Sequence, residues 1–400
     1  MPIALLIFAA TYVALAVGRL PWLRADRTGV AIIGASLMLA ANALTVQQAY
    51  AAIDYDTIVL LFGMMIVVAN LRLSGFFALV SAWVVRHAHR PLLLLAGIVA
   101  VSGVLSAFFV NDTMCLVLTP LVLDITERLR RNPIPYLLAV AMASNAGSVA
   151  TITGNPQNMM IGSFSHIGYR TFAAALAPVA LIGLAITVAV IAVVYRAEFQ
   201  KEAAIQVEPA KVRVNRALMV KSLAVAAAML VAFFAGWPPP KTALIAGALL
   251  LITRRLKPER IYREIDWSLL ALFVGLFVVI AGLEQTPFPA DLFAVASRYH
   301  LERTVPMTVF SAALSNVVSN VPAVLVFRSF VTRLPDAAHA WLTLAMSSTL
   351  AGNLTVLGSV ANLIVVQRAR GRVEIGFWEY AKAGVPITIL TLAVGVALLG

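Results

Sequence analysis

The chain has 400 residues, of which 61% are hydrophobic and 12% charged, and a mean hydropathy of +0.93, far from the balance of soluble domains. This excludes a water-soluble globular enzyme and describes a polytopic membrane protein whose apolar runs have helical length and lack the alternation of barrel strands. The net charge of +12 is spread over short loops, which disfavours nucleic acid as a partner, and the single cysteine, Cys115, leaves no intrachain disulfide and no cysteine-based metal cluster.

In chain order, residues 3–18 read as a retained helix, followed by a loop with Arg19, Arg24 and Arg27, then helices at 29–47 and 53–71, the last closed by Arg72. Residues 73–88 are short for a span and are expected along the interface. Two apolar arms, 91–110 and 114–125, flank the polar tip Asn111-Asp112-Thr113. Arg90 lies at one end and Arg128, Arg130 and Arg131 at the other, which predicts a re-entrant hairpin. A helix at 133–165 follows, polar and broken in its middle, then a plain apolar helix at 172–195. Residues 196–216 are the one substantial polar linker. Beyond it come helices 217–236, 242–253 and 265–283, an amphipathic stretch 286–300, a hairpin with its tip at Ser319-Asn320, a second broken helix 338–368 and a last helix 377–399.

The two broken helices organise this reading. Residues 142–164 begin and end apolar, yet carry Ser144, Asn145, Thr151, Thr153, Asn155, Gln157 and Asn158 between them, with Gly147, Gly154 and Pro156 as interruptions. Freed backbone and amide side chains at membrane depth survive only inside protein or beside a hydrated cavity. A diverged copy lies downstream, where Ser348, Thr355, Gly358 and Asn362 match Ser144, Thr151, Gly154 and Asn158. Other elements match as well: Asp54 and Gly63 with Asp266 and Gly275, and Ser102, Ser106 and Asn111 with Ser311, Ser315 and Asn320. Paired interrupted segments in corresponding halves point to a secondary transporter's binding site.

The fold class expected is therefore an all-α polytopic membrane protein of two inverted repeats, each with a re-entrant helical hairpin and a broken transmembrane helix. The repeats are residues 1–196 and 217–400, joined by a cytoplasmic linker at 197–216. With the N-terminus outside, 24 of the 30 Lys and Arg residues fall on inward-facing segments, and the two halves enter the bilayer in opposite senses. The expected location is the cytoplasmic membrane.

Four segments, VNDTMCLVLTPLVLDI (110–125), SNAGSVATITGNPQNMMIGS (144–163), SNVVSNVPAVLVF (315–327) and STLAGNLTVLGSVANLIVV (348–366), resemble the ion transporter superfamily of arsenite permeases, sodium–proton antiporters, citrate transporters and divalent anion:sodium symporters. The likeness covers nearly the whole chain. The symporters have Ser-Asn-Thr at both tips. Here the tips read Asn111-Asp112-Thr113 and Ser319-Asn320-Val321, closer to the arsenite permease side. The resemblance implies that Asn111, Thr113, Ser319 and Asn320 touch a small anion or its coupling ion, aided by the unwound segments around Asn145–Thr151 and Ala351–Thr355. The full candidate set adds Asp112, Ser144, Gly147, Gly154, Asn155, Ser348, Thr349, Gly352 and Asn353, with Asn111, Asp112 and Asn145 as a candidate sodium site. A homodimer is also implied by resemblance.

Several residues admit a plainer role. Asp112, the only carboxylate at a tip, is a proton or sodium site on one reading and a helix N-cap on the other. Asn111 and Asn320 either contact ligand or close their own turns. Asn158 and Asn362 suit hydrogen bonds to freed carbonyls, and Asp54 and Asp266 suit N-caps. Asp124 and Glu127, near Arg128, read as interfacial charges. The positive residues all fall in loops, which disfavours a basic pocket. The histidines show no metal-ligand spacing, the motifs hold no nucleophile with its base, and no phosphate-binding loop occurs; the expectation is an ion-coupled transporter, driven by H+ or Na+, with no cofactor and no enzymatic activity.

Overall fold

The computed structural model describes residues 2–17, 26–88, 90–200, 214–253 and 256–400. Arg19, Arg24, His89, Arg254, Arg255 and most of the expected linker lie outside these residues. Among the described residues the fold is entirely helical. Among the described residues, six helices are long and apolar enough to cross a membrane by length and composition.

The first half runs α1 (Pro2–Val17), α2 (Arg27–Ala40), α3 (Val46–Ala52), α4 (Tyr55–Ser74), α5 (Phe76–His87), α6 (Pro91–Phe108), α7 (Asn111–Arg128), α8 (Pro133–Ser148), α9 (Pro156–Ser165) and α10 (Tyr169–Val194). The short α11 (Arg196–Phe199) precedes the linker. The second half runs α12 (Arg216–Phe234), α13 (Pro239–Leu251), α14 (Pro258–Tyr262), α15 (Trp267–Glu284), α16 (Phe288–Arg298), α17 (Thr304–Val318), α18 (Asn320–Val331), α19 (Ala337–Ala351), α20 (Val360–Ala369) and α21 (Phe377–Leu399). Three-residue 3-10 turns at Ile152–Gly154 and Val356–Gly358 sit inside the two broken helices.

One expected element is corrected. The apolar run 29–47 is not one helix: α2 stops at Ala40, Asn42 takes φ +52, and Thr45 and Gln48 form a capping box that starts α3. Asparagine tolerates the left-handed conformation that ends a helix, and Thr-x-x-Gln is a start signal, so local chemistry overrides continuous hydropathy.

The two halves are interlocked. α4 packs on α12 and α13, while α15 packs on α1 and α2, so each half hands a long helix to the other's first pair. Matched glycines make these crossings close. A Cβ on Gly63 would lie 2.5 Å from the Ala243 carbonyl carbon, and one on Gly275 would lie 2.8 Å from that of Ala31. The far ends of the broken helices cross over too, α20 onto α7 and α8, α9 onto α18 and α19. α8 is buried along nearly all its length, whereas α10, α12 and α21 leave most of their apolar surface at the periphery, as lipid-facing helices do.

Candidate functional site

Each broken helix repairs its own break in the same way. In the first, Thr151 and Asn155 are extended (φ −141 and −155), which takes α8 out of helical hydrogen bonding at Ser148. Asn158 Nδ2 donates to the freed Ser148 and Thr151 carbonyls at 3.1 and 3.0 Å, and Asn155 Oδ1 caps α9 by accepting from Asn158 N at 2.8 Å. In the second, Asn362 Nδ2 donates to the matched Gly352 and Thr355 carbonyls at 2.6 and 3.0 Å, and Ser359 caps α20. Asn158 and Asn362 thus have the carbonyl-binding role expected of them. Gly154 is needed because its chain doubles back on itself: an added Cβ would sit 2.1 Å from Ser148 O.

A chain of amides then joins the halves. Asn353 Nδ2 is fixed on Met142 O (3.1 Å) and Asn362 Nδ2 on its two carbonyls, so both turn their oxygens to Asn145. Asn145 must meet them with its nitrogen, at 2.8 and 3.0 Å. Its oxygen is left facing Asn111, which must therefore present its own nitrogen, at 3.0 Å, while Ser359 Oγ donates to the same oxygen at 3.1 Å. Each amide's orientation follows from the last, because a carbonyl can only accept. The end product is Asn111 Oδ1, buried and without a partner.

The opposite tip is anchored from both sides. With its amide oriented so that both ends are satisfied, Asn320 donates to the Ser348 and Gly358 carbonyls and accepts from Gln157 Nε2, each at 3.1 Å. Gln157 Nε2 also reaches Thr349 Oγ1 at 3.0 Å, tying α9 to α19. Ser319, between the arms of this hairpin, has φ +80.

A cleft opens where the tips meet. Arg27, Asn111, Asp112, Pro156 and Gln157 line it from the first half; Ser319, Asn320, Val321, Ser359 and Val360 do so from the second. These positions stand at the N-terminal ends of α2, α7, α9, α18 and α20. Converging N-termini give the cleft a positive field and free N–H groups, the conditions for holding an anion. Its charged walls are Arg27 and Asp112, each in the other's electrostatic reach. Neither makes an ion pair within 4.0 Å, and no hydrogen bond to either side chain is present among the described residues.

The expected site residues divide clearly. Asn111, Asp112, Ser319 and Asn320 face the cleft, and Thr113 lines an adjoining cavity with Arg72, Glu264 and Asp266. Asn145 and Asn353 belong to the amide chain behind it. Thr349 accepts from Gln157 and, at 3.4 Å, from Asn155. Ser348 Oγ is turned back to Leu344 O, Thr151 Oγ1 donates to Ala107 O, and Thr355 Oγ1 to Asn316 Oδ1. Ser144 is buried beside Cys115. Gly147 and Gly154 are packing residues, a Cβ on Gly147 coming within 2.2 Å of Gly103 O, and Gly352 lies close to Ser359 and Asn320.

Other readings need correction. Asp112 is not an N-cap: that position is Val110, and no side-chain cap bond forms. Asp266 does cap α15, accepting from Leu269 N at 3.0 Å, but Asp54 uses its carboxylate for the Thr57 and Ser163 hydroxyls, at 2.5 and 2.9 Å. Asp124 and Glu127, read as interfacial charges, both pair with Arg372, at 2.6 and 3.5 Å. As a sodium ligand, Asn145 is poorly suited, since Asn111 and Ser359 already occupy its oxygen. The expectation of no basic side chain at the pocket fails at Arg27. In the sequence Arg27 falls in the loop before 29–47, and only the start of α2 at Arg27 sets a cation against the dipole of a helix N-terminus.

Comparison with known proteins agrees with this architecture. The family profile described as citrate transporter matches residues 5–351. The chain belongs to that family and is a multi-pass membrane transporter. It is 30% identical to the silicon efflux transporter LSI3 of Oryza sativa subsp. japonica, over 95% of this chain and 93% of that one, and 24% identical to the putative transporter arsB of Dictyostelium discoideum, over 92% and 86%. Among solved structures, the YdaH transporter of Alcanivorax borkumensis has a similar fold, with a TM-score of 0.61 and 14% identity over 99% of this chain and 96% of that one.

Proposed function

We propose that the protein is an ion-coupled secondary transporter of a small anion or oxyanion, working by alternating access between two inverted repeats, with the two hairpins entering from opposite faces. The observation that carries this reading is the cleft itself: one small chamber, lined by both halves, on which five helix N-termini converge. A chamber built at the meeting of two interlocked halves can open to either side as one half rocks against the other. Asn111 Oδ1 and the Asp112 carboxylate supply oxygen to a sodium ion or hold a proton. The relatives' names suggest metalloid oxyacids, and the family description suggests citrate, as first candidates. A sodium–proton antiporter and a dicarboxylate or sulfate symporter are the alternatives within the same fold.

The test is flux in liposomes of the purified protein, with arsenite, antimonite, silicic acid, citrate, succinate and sulfate each offered under imposed sodium or proton gradients. Accumulation of one of them that requires a cation gradient supports the reading. Sodium flux independent of every anion transfers the assignment to the antiporter, and anion leak indifferent to all gradients makes the protein a channel.

A further inference from the structure

We infer that Arg27 is the anion subsite of this cleft, and that Asp112 is its resident counter-charge, which releases Arg27 to the substrate only when the coupling cation neutralises it. The inference rests on the transport reading above and adds to it a residue, a ligand chemistry and a sign of coupling.

Arg27 is the first residue of α2, held at the cleft because Asp26 caps that helix by accepting from Gly29 N at 2.8 Å. Its guanidinium offers five donors in a planar fork and cannot lose its charge, yet it lines the chamber with no hydrogen bond or ion pair among the described residues. A half-buried guanidinium that has Asp112 within electrostatic reach but no hydrogen-bond acceptor among the described residues calls for an acceptor from outside. Asn111 Oδ1 is the complementary group. Asn111, 2% exposed, lines the same chamber, and its buried, unpartnered Oδ1 has an orientation dictated by the amide chain behind it, so it must accept and cannot donate. A ligand satisfying both has an oxyanion for Arg27 and a hydroxyl or bound cation for Asn111. Partly protonated oxyacids meet that description by themselves.

Asp112 lines the same cleft. Ionised, it repels an anion at Arg27; neutralised by a proton or a sodium ion, it does not. By linkage the anion and the cation then favour each other's binding and travel together. Other charges facing Asp112 come through the adjoining cavity: Asp266, and the Arg72–Glu264 pair at 2.5 Å. α5 meets α7 further along, at Ser81 and Val84, and α6 and α8 bring only uncharged residues to this end.

The experiment measures KM for a transported anion in liposomes as proton and sodium concentrations are varied separately, in the wild type, Arg27→Gln, Arg27→Lys, Asp112→Asn and the Arg27→Gln/Asp112→Asn double variant. Wild-type KM should fall as one cation rises, which also identifies that cation. Arg27→Gln should raise KM at least about tenfold, the loss expected for a charged hydrogen bond, with Arg27→Lys in between. Asp112→Asn should show the low, cation-saturated KM at every cation concentration, while losing gradient-driven accumulation. The double variant, which removes both charges, controls for folding and should transport weakly without cation dependence. An unchanged KM in Arg27→Gln, or retained cation dependence in Asp112→Asn, overturns the inference and leaves the transport reading standing. Wild-type protein that moves no anion under any gradient removes both.

Discussion

At the scale of single residues, Asn145 is the position on which most depends. Both of its amide atoms are used twice, and it bridges a tip of the first half to the unwound segment of the second. Asn145→Ala would leave Asn353, Asn362 and Asn111 each short of a partner in a buried site, at about 1–3 kcal/mol apiece before relaxation. Asn145→Asp should be worse despite its shape, because a carboxylate oxygen would face the Asn353 and Asn362 oxygens. Thermal unfolding in detergent should rank wild type above Asn145→Ala, and Asn145→Ala above Asn145→Asp. If Asp is tolerated as well as Ala, the Asn145 nitrogen does not face those two oxygens and the amide chain is oriented otherwise.

At the scale of elements, the two breaks share a repair but not a tolerance. A methyl at Gly154 meets the Ser148 carbonyl at 2.1 Å, backbone that cannot yield, whereas one at Gly358 meets the Asn316 side chain at 2.7 Å and the Gly352 carbonyl only at 2.9 Å. Gly154→Ala should therefore lower the unfolding temperature clearly more than Gly358→Ala, overpacking in rigid surroundings costing about 1–3 kcal/mol. Equal effects would mean that the first break opens more readily than its packing suggests.

Much of this was legible in the sequence, since polar residues, glycine and proline inside apolar runs have few physical explanations. The broken helix expected at 133–165 is bounded by Pro133 and Ser165, and the chain breaks between α6 and α7 just before Asn111, and between α17 and α18 at Ser319. Three things were not legible. α2 ends early, at Ala40, because the turn that follows at Asn42 is short and hydropathy averages over it. Arg27 reads as one more loop charge until the fold brings α2 against the tips. The pairing of Asn145 with Asn353 and Asn362 spans more than 200 residues, a separation at which one sequence carries no contact signal.

At the scale of the whole molecule, each half completes the other. α4 needs α12 and α13, α15 needs α1 and α2, and the terminal pieces of both broken helices pack on the opposite hairpin. Residues 1–200 and 214–400, expressed together as two chains, should accordingly copurify and restore transport, while either alone should aggregate or be degraded. Two halves that fold and purify separately would contradict the interlocking.

The shared site can be tested most directly by protection from labelling. With Cys115 replaced by alanine, Gln157→Cys places a thiol on the first half's wall of the cleft and Val321→Cys one on the second's. One binding site made by both halves predicts that the same transported anion slows reaction of both thiols with a small water-soluble reagent, at the same half-maximal concentration. Protection of one position but not the other, or of neither, would contradict it.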